Sequence, residues 1–262
     1  MSDYGVELIN DYGYQVANMN DVNYIFRASG QIHNGQFQYR ENAYNAISMM
    51  VGHMNCPLVF FKPMASNQRI TQRPGINLLY PDFINSGQFI QNDWKSIDVY
   101  KWWNIDMGSV QYYIFDRWIP PERSNYGIQI FDPSGNIIFD SGWKFLKLRQ
   151  VNWLDPGFPN HAGNGNGANW TQVGYAGAGN LAVSMPHPRG YIIPTGSFGT
   201  LTAECVHLDA NNNIFVSLIP VGNYLDMAPS AGWVDTHMRT QVMIADVSDL
   251  PTTYNPVTIY GG

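Results

Sequence analysis

The chain has 262 residues and a formal net charge of −6, with 13% charged and 14% aromatic residues. This length fits two domains of roughly 120 to 130 residues, each able to bury a core. The negative charge argues against nucleic acid as a main partner, because phosphate contacts need clustered Lys and Arg. No apolar run approaches the ~20 residues that span a bilayer, so we expect no membrane partner.

The first half is dominated by strand patterns. Val6 to Leu8 and the residues around Val16 flank a turn at Gly13, which predicts a hairpin. One segment, Glu41 to Met54, has helix-like spacing of apolar residues and predicts a short helix. The other predicted strands of this half are Val22–Arg27, Leu58–Lys62, Ile97–Trp102 and Val110–Phe115.

The second half begins with a clearer hairpin. Ile128 to Phe131 leads through Asp132-Pro133-Ser134-Gly135 into Asn136 to Phe139, and Pro and Gly at these turn positions are type I turn chemistry. The segment Asp155 to Asn169 is rich in Gly, Asn and Pro and predicts a long loop. The other predicted strands are Trp143–Leu148, Thr200–His207, Ile214–Ile219 and Gln241–Ala245, with a hairpin turn between His207 and Ile214.

The two halves repeat one another. Residues 4–10 recur as residues 126–132, and later matches keep the same order along the chain: Gly13 with Gly135, Gly52 with Gly177, Asn55 with Asn180, Ile114 with Ile244 and Asp116 with Asp246. The sequence therefore predicts an all-β protein of two tandem, internally duplicated β-sandwich domains, with long loops and at most one short helix. We place the first repeat at 1–120, a stiff linker at 121–125 and the second repeat at 126–262.

No catalytic or metal-binding motif is evident, so we expect neither an enzyme nor a cofactor. The sequence has no nucleophile elbow, zinc-protease helix, paired-cysteine motif or phosphate loop. The pairs Asp235 with His237 and His207 with Asp209 are more typical of loop hydrogen bonds than of a metal site. Asp116 and Asp246 occupy matching repeat positions, which favours a structural role.

The two cysteines and the start of the chain point to a reducing compartment. Cys56 and Cys205 stand at non-matching positions of the repeats, which predicts buried free thiols rather than a disulfide. Residues 1–3 lead directly into the repeat without a basic and apolar leader, so we expect synthesis in a cytoplasm.

The aromatic residues are the best candidates for contact surfaces. Trp102, Trp103, Trp118 and Trp143 are our candidate interface or core anchors, because strand aromatics usually fill cores and interfaces. The long loop is a candidate receptor-facing surface through His161, Asn164, Asn166 and Trp170, where exposed aromatics beside Asn could bind a host surface glycan.

The repeated sequence motif resembles the N-terminal motif of a known protein family. Residues Asn125 to Gly135, followed by Phe139-Asp140-Ser141, are similar to the "YGLxVxNxxGxxxfDs" start of small β-rich virion proteins from the tail and adhesion modules of tailed bacteriophages. The first repeat departs from this pattern, since Ala17-Asn18-Met19 replaces the Phe-Asp-Ser ending. The resemblance covers roughly 17 residues of each repeat and carries no catalytic residue.

The resemblance implies a late, non-enzymatic structural component of a tailed phage virion, made in the host cytoplasm. It would belong to the tail tip, the collar or a fibre attachment and act through contacts with other virion proteins and with itself, as a homo-oligomer such as a trimer or hexamer. The alternatives are a receptor- or carbohydrate-binding virion protein that uses exposed loop aromatics, and a virion-associated glycan hydrolase.

Overall fold

A computed structural model describes residues 7–9, 11–18, 23–40, 44–63, 70–75, 96–102, 106, 108–161, 170–195, 198–224, 230–234 and 236–261. In these ranges the regular secondary structure is strand, apart from one short 3-10 helix at Asn34–Gln36. The predicted all-β fold class is confirmed. No helix in the described part of the chain is long and apolar enough to cross a membrane.

The strands of the first repeat are β1 (Glu7–Ile9), β2 (Gln15–Asn18), β3 (Tyr24–His33), β4 (Gln38–Arg40), β5 (Tyr44–Met50), β6 (Leu58–Pro63), β7 (Ile70–Gly75), β8 (Ser96–Trp102) and β9 (Ser109–Arg117). Those of the second are β10 (Gln129–Phe131), β11 (Ile137–Asp140), β12 (Leu148–Leu154), β13 (Thr171–Tyr175), β14 (Leu181–Ser184), β15 (Gly190–Thr195), β16 (Phe198–Leu208), β17 (Asn213–Tyr224), β18 (Gly232–Trp233), β19 (Thr240–Asp246) and β20 (Ile259–Gly261).

Both large sheets contain strands from both repeats. The six-stranded sheet has the order β12-β19-β14-β6-β9-β3, and its two halves meet where Phe61 pairs with Val183. The ten-stranded sheet has the main order β13-β17-β16-β7-β8-β5-β20, and its halves meet where Ile70 pairs with Val206. In each sheet, the strand order of the second repeat is the reverse of that of the first, as seen across the junction between them. This arrangement indicates an approximate twofold relation between the repeats.

Apolar side chains fill the space between the two sheets in two clusters, and the first also includes Val257 from the second repeat. Strands β3, β5, β6, β8 and β9 supply the first cluster, which includes Ile47, Val99 and Ile114. Strands β14, β16, β17 and β19 supply the second cluster, which includes Val216 and Ile244. Every side chain named here is almost completely buried, as expected for strands that alternate between a core face and an outer face.

The six-stranded sheet closes on itself at a seam between the two repeats. The residues that lead into β12 pair with β3: the Phe26 amide donates to the Lys144 carbonyl (2.7 Å) and the Leu146 amide to the Tyr24 carbonyl (2.9 Å). A third apolar cluster, built from both repeats, lies on the face of this sheet that points away from the ten-stranded sheet: Phe26, Phe60, Tyr113, Phe115, Leu146, Ala182, Met243, Ala245 and Val247. Closure removes two open edges that would otherwise be free to pair with other chains.

The repeated sequence motif forms the same hairpin in both repeats. Strands β1 and β2 pair with a register shift after Leu8, and β10 and β11 with a register shift after Ile130, at the matching position. The turn glycines match as well, with φ of 81° at Gly13 and 82° at Gly135, a backbone region that glycine tolerates best. A contact outside the phrase also recurs: Asn55 Nδ2 donates to the Arg117 carbonyl and Asn180 Nδ2 to the Val247 carbonyl.

The C-terminal segment returns to the first repeat. Tyr254 and Ser29 exchange backbone hydrogen bonds, and β20 pairs with β5. The Val257 amide donates to the Tyr112 hydroxyl at 3.1 Å. The last residues of the second repeat thus complete the packing of the first.

Three expectations need correction. The helix predicted at Glu41 to Met54 is strand β5 in its described part, where Ile47 and Met49 are fully buried and Ser48 between them is not. The strand predicted at Trp143 to Leu148 begins only at Leu148, because the preceding residues form the seam. Cys205 is a buried free thiol as expected, but Cys56 is exposed and its sulfur accepts a hydrogen bond from the Tyr24 hydroxyl.

Candidate functional site

A fully buried polar cluster is built around Arg189. Its side chain is 1% exposed and it makes a two-pronged contact with Glu204, from Nε to Oε2 and from Nη2 to Oε1, both at 2.8 Å. The guanidinium also lies 4.2 Å from the centre of the Trp233 ring. Two-pronged pairing and aromatic stacking are arrangements in which Arg is far better than Lys.

Arg189 holds two loop segments against strand β16, which carries Glu204. Its guanidinium donates to the carbonyls of Asp155 (2.7 Å), Met238 (3.4 Å) and Phe158. The Val234 amide donates to the carbonyl of the next residue, Gly190, at 3.0 Å. This bond continues the pairing of β15 with β18. We call the whole arrangement the Arg189 hub.

The hub displays apolar side chains to solvent. Phe158 and Met238 are each 48% exposed and Val234 is 47% exposed, although the backbones of all three are tied to Arg189 or Gly190. Trp153, on the strand that leads into this loop, is 56% exposed. We call these four residues the hub face. Exposed apolar side chains on a rigid support are typical of contact surfaces.

A second set of exposed apolar residues lies on the two hairpins. Ile9 in β1 is 60% exposed, and its repeat partner Phe131 in β10 is 53% exposed. Just before β10, Tyr126 and Ile128 are 88% and 67% exposed. Each hairpin lies beside the other repeat: the Tyr14 hydroxyl accepts from the Val151 amide (3.0 Å), and Ile137 packs with Ile25.

Asp140, the Asp of the Phe-Asp-Ser ending in the second copy of the repeated motif, has a structural role. This buried carboxylate accepts hydrogen bonds from the Ser124 amide and hydroxyl, the Gly142 amide and the Gln129 side chain. Burial alone would raise the pKa of Asp140, but these hydrogen bonds outweigh it and lower the pKa to about 2. The neighbouring Ser141 hydroxyl accepts from the Ile128 amide, so the motif anchors the hairpin rather than forming a reaction centre.

The carboxylates considered in the sequence are used structurally. Asp116 accepts from the backbone amides of Asn55, Cys56 and Arg117. Its repeat partner Asp246 accepts from the Ser248 amide and hydroxyl. In the described ranges, no three His, Cys, Asp or Glu side chains group closely enough to hold a metal ion.

His207 and Asp209 are not joined by a hydrogen bond. Asp209 accepts from the amides of Asn211 and Asn213 within its own turn, and His207 is buried at 3% exposure beside Trp170. Burial lowers the pKa of His207 to about 4, against a smaller opposing effect of Asp209. His237 is exposed, and Asp235 lies outside the described residues.

The four candidate anchor tryptophans have different positions. Trp143 is 8% exposed in a small cluster with Ile25 and Ile137, against which Trp118 packs. The guanidinium of Arg27 lies 3.7 Å from the centre of the Trp118 ring. Trp102 ends β8 but its side chain lies outside the described part, as does the whole of Trp103.

The candidate receptor-facing loop is exposed only in part. His161 is 2% exposed, which differs from the solvent-facing position expected, because it packs between Tyr191 and Trp233 with Nε2 at 3.5 Å from Glu204. Trp170 is half-buried against the outer face of the ten-stranded sheet. Asn164 and Asn166 lie outside the described residues.

Sequence reasoning missed the Arg189 hub, although a signal for it was present. Glu204 lies in the middle of an apolar strand, and a carboxylate buried there requires a cation with full hydrogen bonding. The strand thus predicts a buried Arg or Lys. Arg189 lies opposite Glu204 across the hairpin of β15 and β16, but β15 was not among the predicted strands. No family model, curated protein or solved structure matches this chain.

Proposed function

We propose that this protein is a non-enzymatic structural component of a tailed-phage virion, at the tail tip, collar or fibre attachment, that acts through subunit–subunit contacts. The observation that carries the proposal is the hub face: Phe158 and Met238 are exposed on segments bound by the buried Arg189, Val234 is bonded to Gly190, and Trp153 is exposed on the adjoining strand β12. Aromatic residues and Met are enriched in protein interfaces, whereas Lys and Glu are depleted.

The charges of this region favour a protein partner without net charge. Arg239 and Asp155 form an exposed ion pair at 2.9 Å beside the hub face and neutralise one another. An apolar surface bordered by a compensated pair gives no attraction to a strongly charged partner. The low charge of the whole chain and the resemblance of the repeated phrase to phage virion proteins support the same proposal.

The alternative, receptor binding through loop aromatics, rests on Phe158 alone among the described residues 155–161. The loop's His161 is buried and Trp170 packs on the sheet, so fewer side chains of this loop are free to meet a receptor. The assembly proposal therefore accounts for more of the exposed apolar side chains than the receptor-binding alternative does.

Light scattering across a concentration series tests the assembly proposal. We expect a trimer or hexamer, and we expect the double variant Phe158→Ser/Met238→Ser to dissociate at least ten times more readily. Tyr260→Ser, which changes a side chain that is 58% exposed on β20, is the matched control and should assemble normally. A monomer at every concentration, or assembly that the double variant leaves unchanged, contradicts the proposal.

The virion assignment has a separate test. Peptides of this chain should be detected by mass spectrometry in purified particles of the phage that encodes it, at a stoichiometry that is a multiple of three. Their absence from intact particles would rule out a structural component.

A further inference from the structure

A depression with a volume of about 480 Å³ opens beside the seam, away from the hub face. One wall is the end of the second hairpin and the seam segment, and the other is the turn after β19. It is lined by Phe139, Ser141, Gly142, Trp143, Lys144, Phe145, Lys147, Asp246, Asp249 and Leu250. Its volume is within the range of about 300 to 1,000 Å³ that is usual for ligand sites.

The aromatic wall is rigid. The rings of Phe139 and Phe145 are stacked, with centroids 5.0 Å apart and an interplanar angle of 13°. The Trp143 ring is held by a hydrogen bond from Nε1 to the Glu122 carbonyl at 2.8 Å. The buried carboxylate of Asp140 also holds this segment through its hydrogen bonds, so the aromatic wall is already formed without a ligand.

The opposite wall carries balanced charge. Lys147 forms an ion pair with Asp249. The hydrogen bond from the Lys147 ammonium lowers the pKa of Asp249, and the positive charge of Lys144 lowers it further. Asp246 uses Oδ1 for the Ser248 amide and hydroxyl. Two ammonium groups and two carboxylates thus line the same depression.

This combination restricts the class of ligand. An anion would meet Asp246 and Asp249, and a cation would meet Lys144 and Lys147, so neither gains net attraction. A purely apolar ligand would remove water from these four charged groups without replacing their hydrogen bonds. A molecule that fits must be neutral, must both donate and accept hydrogen bonds, and must offer C–H surface to aromatic rings.

We propose that this depression binds a neutral saccharide of one or two sugar rings. Sugar hydroxyls both donate and accept, so they can satisfy Lys144 and Asp246 together, while one face of the ring packs against the partly exposed Phe145, which the buried rings of Phe139 and Trp143 support. The inference does not depend on the assembly proposal, because the site shares no residue with the hub face.

Binding is tested with the full chain on an array of neutral and sialylated glycans, followed by saturation-transfer NMR with maltose, cellobiose, lactose and N,N′-diacetylchitobiose. We expect binding of at least one neutral glycan that is weakened at least tenfold in Lys144→Ala. The Lys144 side chain is exposed and its ammonium makes no hydrogen bond within the described chain, while its backbone bond to Phe26 does not depend on the side chain, so this variant should fold normally, and circular dichroism checks that it does.

Arg239→Ala is the matched control, since it removes an exposed cation on the hub side, and its affinity should equal that of the unmodified chain. Failure to bind any neutral glycan at millimolar concentration overturns the proposal. So does a preference for sialylated glycans, or binding that Lys144→Ala leaves unchanged. None of these outcomes affects the oligomer measured by light scattering, so the two proposals fail separately.

Discussion

At the scale of single residues, Glu204 and His207 lie on the same strand and are both buried, but only Glu204 is neutralised by a charged partner. Glu204 is fully buried, and Arg189 neutralises it with two hydrogen bonds of 2.8 Å. His207 is almost as deeply buried, yet within the described chain neither ring nitrogen has a hydrogen-bond partner. Burial of an ionisable group without partners disfavours its charged form, so the neutral ring is the native one.

His207 should make folding sensitive to mild acid. Its folded pKa of about 4 lies below its ordinary value of 6.5, so below pH 6.5 the unfolded chain takes up a proton that the folded chain refuses. The free energy of unfolding should therefore fall as the pH drops from 6.5 to 4, by roughly 2 to 3 kcal/mol. Urea denaturation at a series of pH values measures this, and His207→Phe should remove most of the slope.

The matched control for this experiment is His237→Phe, which changes an exposed histidine and should keep the slope of the unmodified protein. If His207→Phe and the unmodified chain lose stability in parallel between pH 6.5 and 4, another group is responsible for the acid sensitivity.

At the scale of elements, the turns are the most predictable part of the fold because their chemistry is local. Asp132 accepts from the amides of Ser134 and Asn136, and Asp209 accepts in the same way from Asn211 and Asn213. In both turns the residue before the Asn that lies four positions after the Asp has a positive φ, 82° at Gly135 and 59° at Asn212. An Asp with an Asn four residues on therefore predicts each hairpin without knowledge of the rest of the chain.

Elements defined by distant contacts were predicted less well. The apolar residues Tyr44, Ile47 and Val51 suit one side of a helix, but the pairing of β5 with β8 and β4 decides for a strand. Arg189 faces Glu204 across the β15–β16 hairpin, but β15 was not predicted, and the carbonyls of Asp155 and Met238 that complete the hub come from residues distant in the sequence. The depression beside the seam likewise needs two segments about 100 residues apart in sequence.

Gly30 in β3 is an element-scale test of how the C-terminal segment is held. A Cβ atom at this position would lie 2.6 Å from the hydroxyl of Tyr112, which is 1% exposed and accepts the Val257 amide. Gly30→Ala should lower the free energy of unfolding by roughly 1 to 3 kcal/mol, because the ring must move within a packed core. Chemical denaturation measures the loss, and faster hydrogen exchange at Val257 locates it.

Gly35→Ala is the control for this substitution, since a Cβ atom there meets nothing within 4 Å. Equal stability of the Gly30→Ala and Gly35→Ala variants would show that Tyr112 adapts without cost and that the C-terminal segment is held in another way.

At the scale of the whole molecule, the two repeats are joined far more extensively than by their linker. They share both sheets, exchange hairpin contacts and close the seam together. Cleavage at a protease site inserted after Pro121 should therefore leave the halves associated, eluting as one species in gel filtration until denaturant is added. Separation of the halves after cleavage in native buffer would mean that the shared sheets contribute little.

The mirrored strand order has a consequence for synthesis. When the first repeat leaves the ribosome, β6 and β7 have no neighbour on one side, because β14 and β16 are not yet translated, and the segment that covers Tyr112 is made last. Unpaired strand edges invite pairing with other nascent chains. On a polysome, where identical chains emerge side by side, a first repeat can pair with the second repeat of its neighbour, so translation rate and chaperone supply should govern the soluble yield of this protein.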